Sequence, residues 1–281
     1  MKIKLKTVLK GCSLLITYSF HSKNESELLS LPSFFIGKIT MTVTETYLKW
    51  HSPILGKEME MLVFGEKGYP IIVFPTSMGS YSQNKDFKLV DSAQWFIDNG
   101  LVKIYTPASI DNDSWYAKHL HPSDRARNHV LYDRFILEEV VKRALDETGK
   151  NKVAVAGCSF GAYHATNFAF RHPELVGYLF NMGGAFDIKD RVNGYYDNNV
   201  FFNNPADYIP GLNNPALHEM GIVFGTGDKD MCKEANLHMS EILKKKGINH
   251  WLDIRQGAEH DWPVWREMFP HYLSLIKFDV V

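Results

Sequence analysis

Cysteine is scarce in this chain. Cys12, Cys158 and Cys232 are the three among 281 residues, with no C-x-x-C pair and no metal-type spacing. That excludes a disulfide framework and a cysteine-built zinc module. It favours a reducing compartment, and the cytoplasm over secretion. Charge of either sign is not in excess: 31 basic residues face 32 acidic ones, for a formal charge of −1. No overall field therefore draws the chain to nucleic acid or to an anionic bilayer, and neither is expected as a partner. The short run Lys244, Lys245, Lys246 reads as the solvated end of a helix. Long apolar runs are missing too. The stretch from Gly11 to Phe20 is too short to cross a membrane, so no span is expected. Behind a lysine-rich start it has the outline of a signal peptide over residues 1–22, the one argument for secretion. Yet Ser13, Thr17 and Ser19 interrupt it, and no small-residue cleavage site follows. Residues 1–40 are expected outside the fold, as a signal-like segment or a non-structural extension, and 41–281 as one domain.

Apolar residues make up 45% of the chain, enough for a sizeable core. "TETYLKWHS" and "EMEMLVFG" read as two antiparallel strands joined by a turn at Pro53 and Gly56. After them the pattern alternates. The apolar runs "PIIVF", "VKIYT", "KVAVAG", "LVGYLFNMGG", "GIVFGTG" and "NHWLDIR" are separated by helical stretches expected at 84–98, 123–148, 160–172, 232–246 and 262–277. Repeated strand–helix pairs predict an α/β fold, a mostly parallel central sheet with helices on both faces. Residues 185–220, rich in Asn, Asp, Gly and Pro, form an irregular insertion of the kind that builds rims and lids. No large helical cap is expected there.

"VAVAGCSFGAYHATNFAF" places Ser159 between Gly157 and Gly161 where a strand meets a helix. A serine hydroxyl is a weak nucleophile until a base activates it. Lifting it above a sheet takes a sharp, strained turn, which calls for small residues on both sides. The following helix then aims its first N–H groups at a developing oxyanion. The competing reading is an ordinary turn with a helix-capping serine.

The partners decide between these. On a parallel sheet the matching order is serine, then an acid after a later strand, then a histidine after the last strand. "FGTGDKD" supplies Asp228 and Asp230, with Asp228 favoured because it comes first after the strand. "GAEHDWPVW" supplies His260 behind Gly257, and Asp261 reads as a helix N-cap. His164 and His172 fall on the helix after the serine. His250 is placed in the last strand. His119 and His121 have a metal-like spacing, but nothing completes a ligand set, and no metal or cofactor is expected.

Together, "GCSFGAYHATNFAFRHPELVGYLFNMGGAFD", "FGTGDKD" and "GAEHDWPVWREMFPHYL" resemble the esterase family of α/β-hydrolases that includes S-formylglutathione hydrolases, feruloyl esterases and bacterial mycolyltransferases. The resemblance spans about residues 42–277, and its most specific parts are the serine turn and the ending His260, Trp262, Trp265. It implies Ser159 as nucleophile, Asp228 as orienting acid, His260 as general base, and cofactor-free cleavage of small-molecule or polymer-borne carboxylic esters. An acyltransferase using the same residues and a non-catalytic binding protein are the alternatives. The first oxyanion donor is expected from the N–H of Phe160. Where many relatives carry His-Gly, this chain has "PTSMGS", so the second donor is expected from Met78 or Ser77. Trp115, Tyr116 and Trp262 are the candidate substrate-binding residues, and a place in the core suits Trp115 equally well. Asp111 and Asp113 read as turn formers.

Overall fold

The computed structural model describes residues 6–9, 14–17 and 44–278. The chain separates into two units, 1–40 and 41–281. In the first, strands β1 (Lys6–Leu9) and β2 (Leu14–Thr17) pair antiparallel. Apart from these strands, the expected signal-like segment and extension lie outside the described residues, as does Cys12.

The second unit is built on an eight-stranded sheet. In chain order its strands are β3 (Glu45–Ser52), β4 (Lys57–Phe64), β5 (Tyr69–Phe74), β6 (Val102–Pro107), β7 (Val153–Cys158), β8 (Val176–Met182), β9 (Gly221–Gly227) and β10 (Trp251–Arg255). Across the sheet they run β10-β9-β8-β7-β5-β6-β4-β3. The β3–β4 and β4–β6 pairs are antiparallel and all the others parallel. The mostly parallel sheet expected from the sequence is what forms.

Side-chain alternation along β7 shows how both faces are covered. Val153 and Val155 point into one apolar cluster, while Ala154, Ala156 and Cys158 point into another on the opposite face. Every β7 residue is buried, which is why the strand reads as a continuous run of small apolar residues. On the first face lie α4 (Pro122–Phe135), α5 (Lys142–Thr148), α6 (Phe160–Arg171) and α9 (Lys233–Lys245). On the second lie α2 (Leu89–Ser92), α3 (Gln94–Asp98) and α10 (Trp262–Leu273), following a short α1 (Gln83–Asp86). Each fully buried Val, Leu or Phe contributes about 1.5–3 kcal/mol through its removal from water.

Two expected helices differ in detail. The single helix at 84–98 is three short ones, because Lys88 takes a left-handed conformation (φ 62°) between α1 and α2. The helix at 123–148 begins at Pro122, where His121 Nδ1 accepts the Ser123 N–H. It passes through a π-helical stretch, Ile136–Val141, in which Glu139 accepts bonds from Trp50 and Ser52 of β3 at 2.6 Å each. His250 precedes β10 instead of lying in it, and bonds to Ser240 at 2.7 Å. The 185–220 insertion carries only short helical turns, among them α7 (Asn198–Phe201) and α8 (Pro205–Tyr208).

Registry brings the strand ends together. Phe74 pairs with Gly157, Cys158 with Met182, and Met182 with Gly225. The chain therefore leaves β5, β7, β8 and β9 along one C-terminal edge, where β5 lies between the two directions of sheet growth. Ligands bind open α/β sheets at such a switch point.

Candidate active site

Ser159 follows β7 directly, and its backbone sits at φ 55°, ψ −121°. A non-glycine residue held there costs about 1–3 kcal/mol, which surrounding contacts must offset. Its N–H donates to the Met182 carbonyl at 2.9 Å, tying the turn to β8. The flanking glycines are dictated by space. A Cβ on Gly157 would lie 2.2 Å from the Gly161 carbonyl, and one on Gly161 would lie 2.5 Å from the Pro75 oxygen. Helix α6 thus starts in direct backbone contact with the chain leaving β5.

The Ser159 hydroxyl makes no cap bond to its helix. It lies 2.9 Å from His260 Nε2 instead, so the capping-serine reading does not describe this turn. On the far side of the ring, His260 Nδ1 lies 2.8 Å from Asp230 Oδ1. The acid that reaches the histidine is Asp230, and the preference for Asp228 is corrected. The backbone explains the difference. Asp228 still donates its N–H to Arg255, prolonging the β9–β10 ladder by one residue. Only then does the chain turn back, with the Asp230 N–H on the Gly227 carbonyl, and carry the second aspartate inward. Asp230 Oδ1 also accepts the Cys232 N–H at 2.7 Å. Burial pushes the Asp230 carboxyl up, but the bonds from His260 and from the Cys232 N–H outweigh it and hold the group below the usual carboxylate range.

The ring itself is braced. Trp265 presents an edge-to-face contact to His260, with centroids 5.0 Å apart. Beneath the pair, Gly183 is left-handed (φ 66°), and a Cβ there would fall 2.8 Å from Asp230 Oδ2 and 3.1 Å from His260 Nδ1. The N–H of Phe160 is at the first position of α6, where no intrahelical acceptor exists.

At the other donor position the two candidates separate. The Met78 N–H is engaged by Asp111 Oδ2 at 2.8 Å, so Met78 is not a free donor. The Ser77 N–H has no acceptor among the described residues. Its hydroxyl receives the Tyr116 O–H at 2.7 Å, and the Tyr116 ring meets Phe160 edge-on at 5.3 Å. Tyr116 therefore joins the two donor-bearing segments.

Of the expected substrate-binding residues, Tyr116 and Trp262 are half-buried, with Trp262 stacked on Phe87 at 4.6 Å. Trp115 is 1% exposed and packs with Ala126, Phe160, Tyr163 and Val200. It is a core residue, and its assignment to a pocket wall is corrected. A cavity of about 540 Å³ lined by Arg171, Phe202, Tyr208 and Leu212, among others, contains none of the three hydrogen-bonded side chains.

Solved structures share this architecture at low identity. A ferulic acid esterase is 17% identical, with a TM-score of 0.67 over 82% of this chain and 96% of that one. An S-formylglutathione hydrolase from Agrobacterium tumefaciens is 12% identical, with a TM-score of 0.66 over 83% and 94%. The fluorophosphonate-binding serine hydrolase F of Staphylococcus aureus is 11% identical, with a TM-score of 0.62 over 83% and 97%. The fold is that of the α/β-hydrolases. No family model matches the chain, and no curated protein does.

Four residues at this site have roles that the sequence alone does not reveal: Asp111, His164, Arg191 and Cys232. Asp111 is 1% exposed and bonds through Oδ1 to buried His164 at 2.9 Å, while its Oδ2 holds Met78. Neither a turn former nor a helix histidine is an adequate description of that pair. The guanidinium of Arg191 lies over Tyr116 and near Phe160, carried by the irregular insertion, where no periodicity marks it. Cys232 lies beside the acid. With Asp230 and His260 it forms a group of metal-ligating types whose donor atoms are within 4.8 Å of one another. The Cys232 thiol is pushed up to about 11 by burial and by the Asp230 charge, and so stays protonated at neutral pH.

Proposed function

We propose that this chain is a serine hydrolase that cleaves carboxylic esters through an acyl-enzyme, with Ser159, His260 and Asp230 as its triad. The observation that carries the reading is the unbroken chain from Ser159 Oγ through both ring nitrogens of His260 to Asp230, set on a strained strand-to-helix turn. The fold shared with solved esterases and serine hydrolases supports it.

In this mechanism Ser159 donates its proton to His260 Nε2 as Oγ attacks the ester carbonyl. Asp230 keeps the ring in the tautomer that leaves Nε2 free, and steadies the imidazolium that forms. The tetrahedral oxyanion takes the N–H groups of Phe160 and Ser77. In such a site one donor is worth about 3–4 kcal/mol of transition-state stabilisation. His260 then returns its proton to the leaving alcohol. A water molecule, deprotonated by the same ring, attacks the acyl carbon and releases the acid and Ser159. No step calls for a cofactor.

Labelling with a fluorophosphonate probe tests the assignment. The native chain should be modified stoichiometrically, and Ser159→Ala not at all. Equal labelling of the two proteins would remove Ser159 as nucleophile.

A further inference from the structure

Resting on that esterase reading, we propose that Arg191 binds an anionic group of the substrate, so that the preferred esters carry a carboxylate or comparable anion.

The guanidinium of Arg191 lies 4.3 Å from the centroid of the Tyr116 ring and 5.5 Å from that of Phe160. Phe160 follows the nucleophile in sequence, and Tyr116 is bonded to Ser77 on the opposite donor segment. The cation is thus fixed on the two aromatic residues that connect both sides of the oxyanion site. A guanidinium held over an aromatic ring keeps N–H donors that can face an acceptor. The fork of those donors matches a carboxylate with two parallel hydrogen bonds.

The placement is built from below. Buried Arg125 donates from Nη1 to the Arg191 carbonyl at 2.7 Å, and from Nε and Nη2 to the carbonyls of Leu120 and Lys118. A second cation in the core therefore holds the backbone that carries the first. On either side, Ile188 and Val192 pack into the cluster with Phe160 and Trp115. Among the described residues, the acidic partner of Arg191 is its neighbour Asp190, 3.3 Å from Nε and 70% exposed, a weak solvent-screened contact, and neither terminal nitrogen has a hydrogen-bond partner among them. Lys189 is matched differently, held by Asp187 and Asp207 at 3.1 Å each. The loops that carry the site hold exposed apolar side chains, Met78, Phe87 and Met231 with Trp262 behind Phe87, and exposed charged ones, Lys229, Glu259 and Asp261. Held between both donor-bearing segments, the Arg191 guanidinium selects for an ester that carries an anionic group.

Two matched pairs of esters test this. In one the charge is on the acyl side, 4-nitrophenyl hydrogen glutarate against 4-nitrophenyl methyl glutarate. In the other it is on the alcohol side, the butyrate ester of 4-hydroxybenzoate against that of methyl 4-hydroxybenzoate. The charged member of at least one pair should have the higher kcat/KM, and the favoured pair locates the anion. Arg191→Gln should lower the charged-to-neutral ratio of that pair roughly ten- to a hundredfold, the scale of a charge-assisted hydrogen-bonded contact. Arg191→Lys should recover part of the ratio, since it keeps the charge and loses the fork. Ratios at or below one in both pairs, or a ratio unchanged in Arg191→Gln, overturn the proposal. Ser159→Ala separates the two levels. If it leaves hydrolysis intact, the esterase reading falls and this one with it. If hydrolysis depends on Ser159 while the ratios stay flat, only the role of Arg191 falls.

Discussion

The buried carboxylate of Asp111 holds the backbone N–H of Met78 at 2.8 Å with one oxygen and His164 at 2.9 Å with the other. Met78 is left-handed, with φ 55°, and closes a turn in which the Gly79 N–H returns to Thr76. A methionine does not choose that conformation, so an outside group must hold it. Asp111 is that group, and the turn it fixes presents Ser77. In Asp111→Asn one of the two donors would meet an amide N–H₂ instead of an oxygen. The expected result is a loss of about 1–3 kcal/mol in stability, the cost of an unmet buried group. A fall in kcat of roughly ten- to a hundredfold with little change in KM should accompany it, because the lost interaction is made in the transition state. Urea denaturation and steady-state kinetics on one preparation measure both. Loss of stability with kcat intact would make Asp111 merely structural.

The two aspartates after β9 give a sharper contrast. Asp230 bonds to His260 at 2.8 Å, while Asp228 continues the strand pairing through its N–H. Asp230→Asn should lower kcat on the order of 10⁴-fold by favouring the wrong tautomer of His260. Asp228→Asn should stay within a few-fold of the native chain. Kinetics with a short-chain 4-nitrophenyl ester decide it, and the reverse ranking would restore Asp228.

Much of this was legible in the sequence for a physical reason. The apolar runs and the β-α alternation record burial on a two-faced sheet, and the Gly157, Ser159, Gly161 spacing records backbone crowding at one point. The contact between Gly157 and Gly161 lies within four residues, and burial marks each strand residue by residue along the chain. The choice of Asp230 over Asp228 depended on how far β9 stays paired with β10, which is a matter of registry between distant segments. Trp115 read equally well as a wall or as core, because an indole suits both and only packing separates them. Asp111, His164 and Arg191 act through partners 31 to 75 positions away, as in the bond from Asp111 to Met78 and the placement of Arg191 over Phe160 and Tyr116. Local pattern carries no trace of such pairings.

Crowding at the serine turn makes a prediction about stability. A methyl group on Gly157 would sit 2.2 Å from the Gly161 backbone, with no flexible side chain to give way. Gly157→Ala is expected to destabilise the fold by more than about 3 kcal/mol, as overpacking against rigid backbone does. Gly149→Ala is the control for a glycine change as such, since its Cβ would meet nothing within 4 Å. Its left-handed φ of 66° still carries a strain cost of about 1–2 kcal/mol. Thermal melts of the two variants should therefore rank Gly157→Ala well below Gly149→Ala. Equal melting points would mean that the turn relaxes freely.

The state of Asp230 sets a dependence on acid. Burial alone would raise its pKa, yet the bonds from His260 and the Cys232 N–H leave it depressed relative to an unfolded aspartate at about 3.9. A group depressed in the folded state adds stability that is fully present above its unfolded pKa, and that stability drains away as pH falls through the folded value. Asp230→Asn removes this contribution at every pH. The melting temperature of the native chain should therefore exceed that of the variant at pH 6, and the gap should close progressively as pH falls below about 4. The carboxylate is ionised throughout the neutral range, so a fall in kcat/KM beginning above pH 5 belongs to some other group. Melting curves of both proteins across that acid interval provide the check. A gap that stays constant or widens down to pH 2 would show that the folded chain does not favour the ionised form of Asp230.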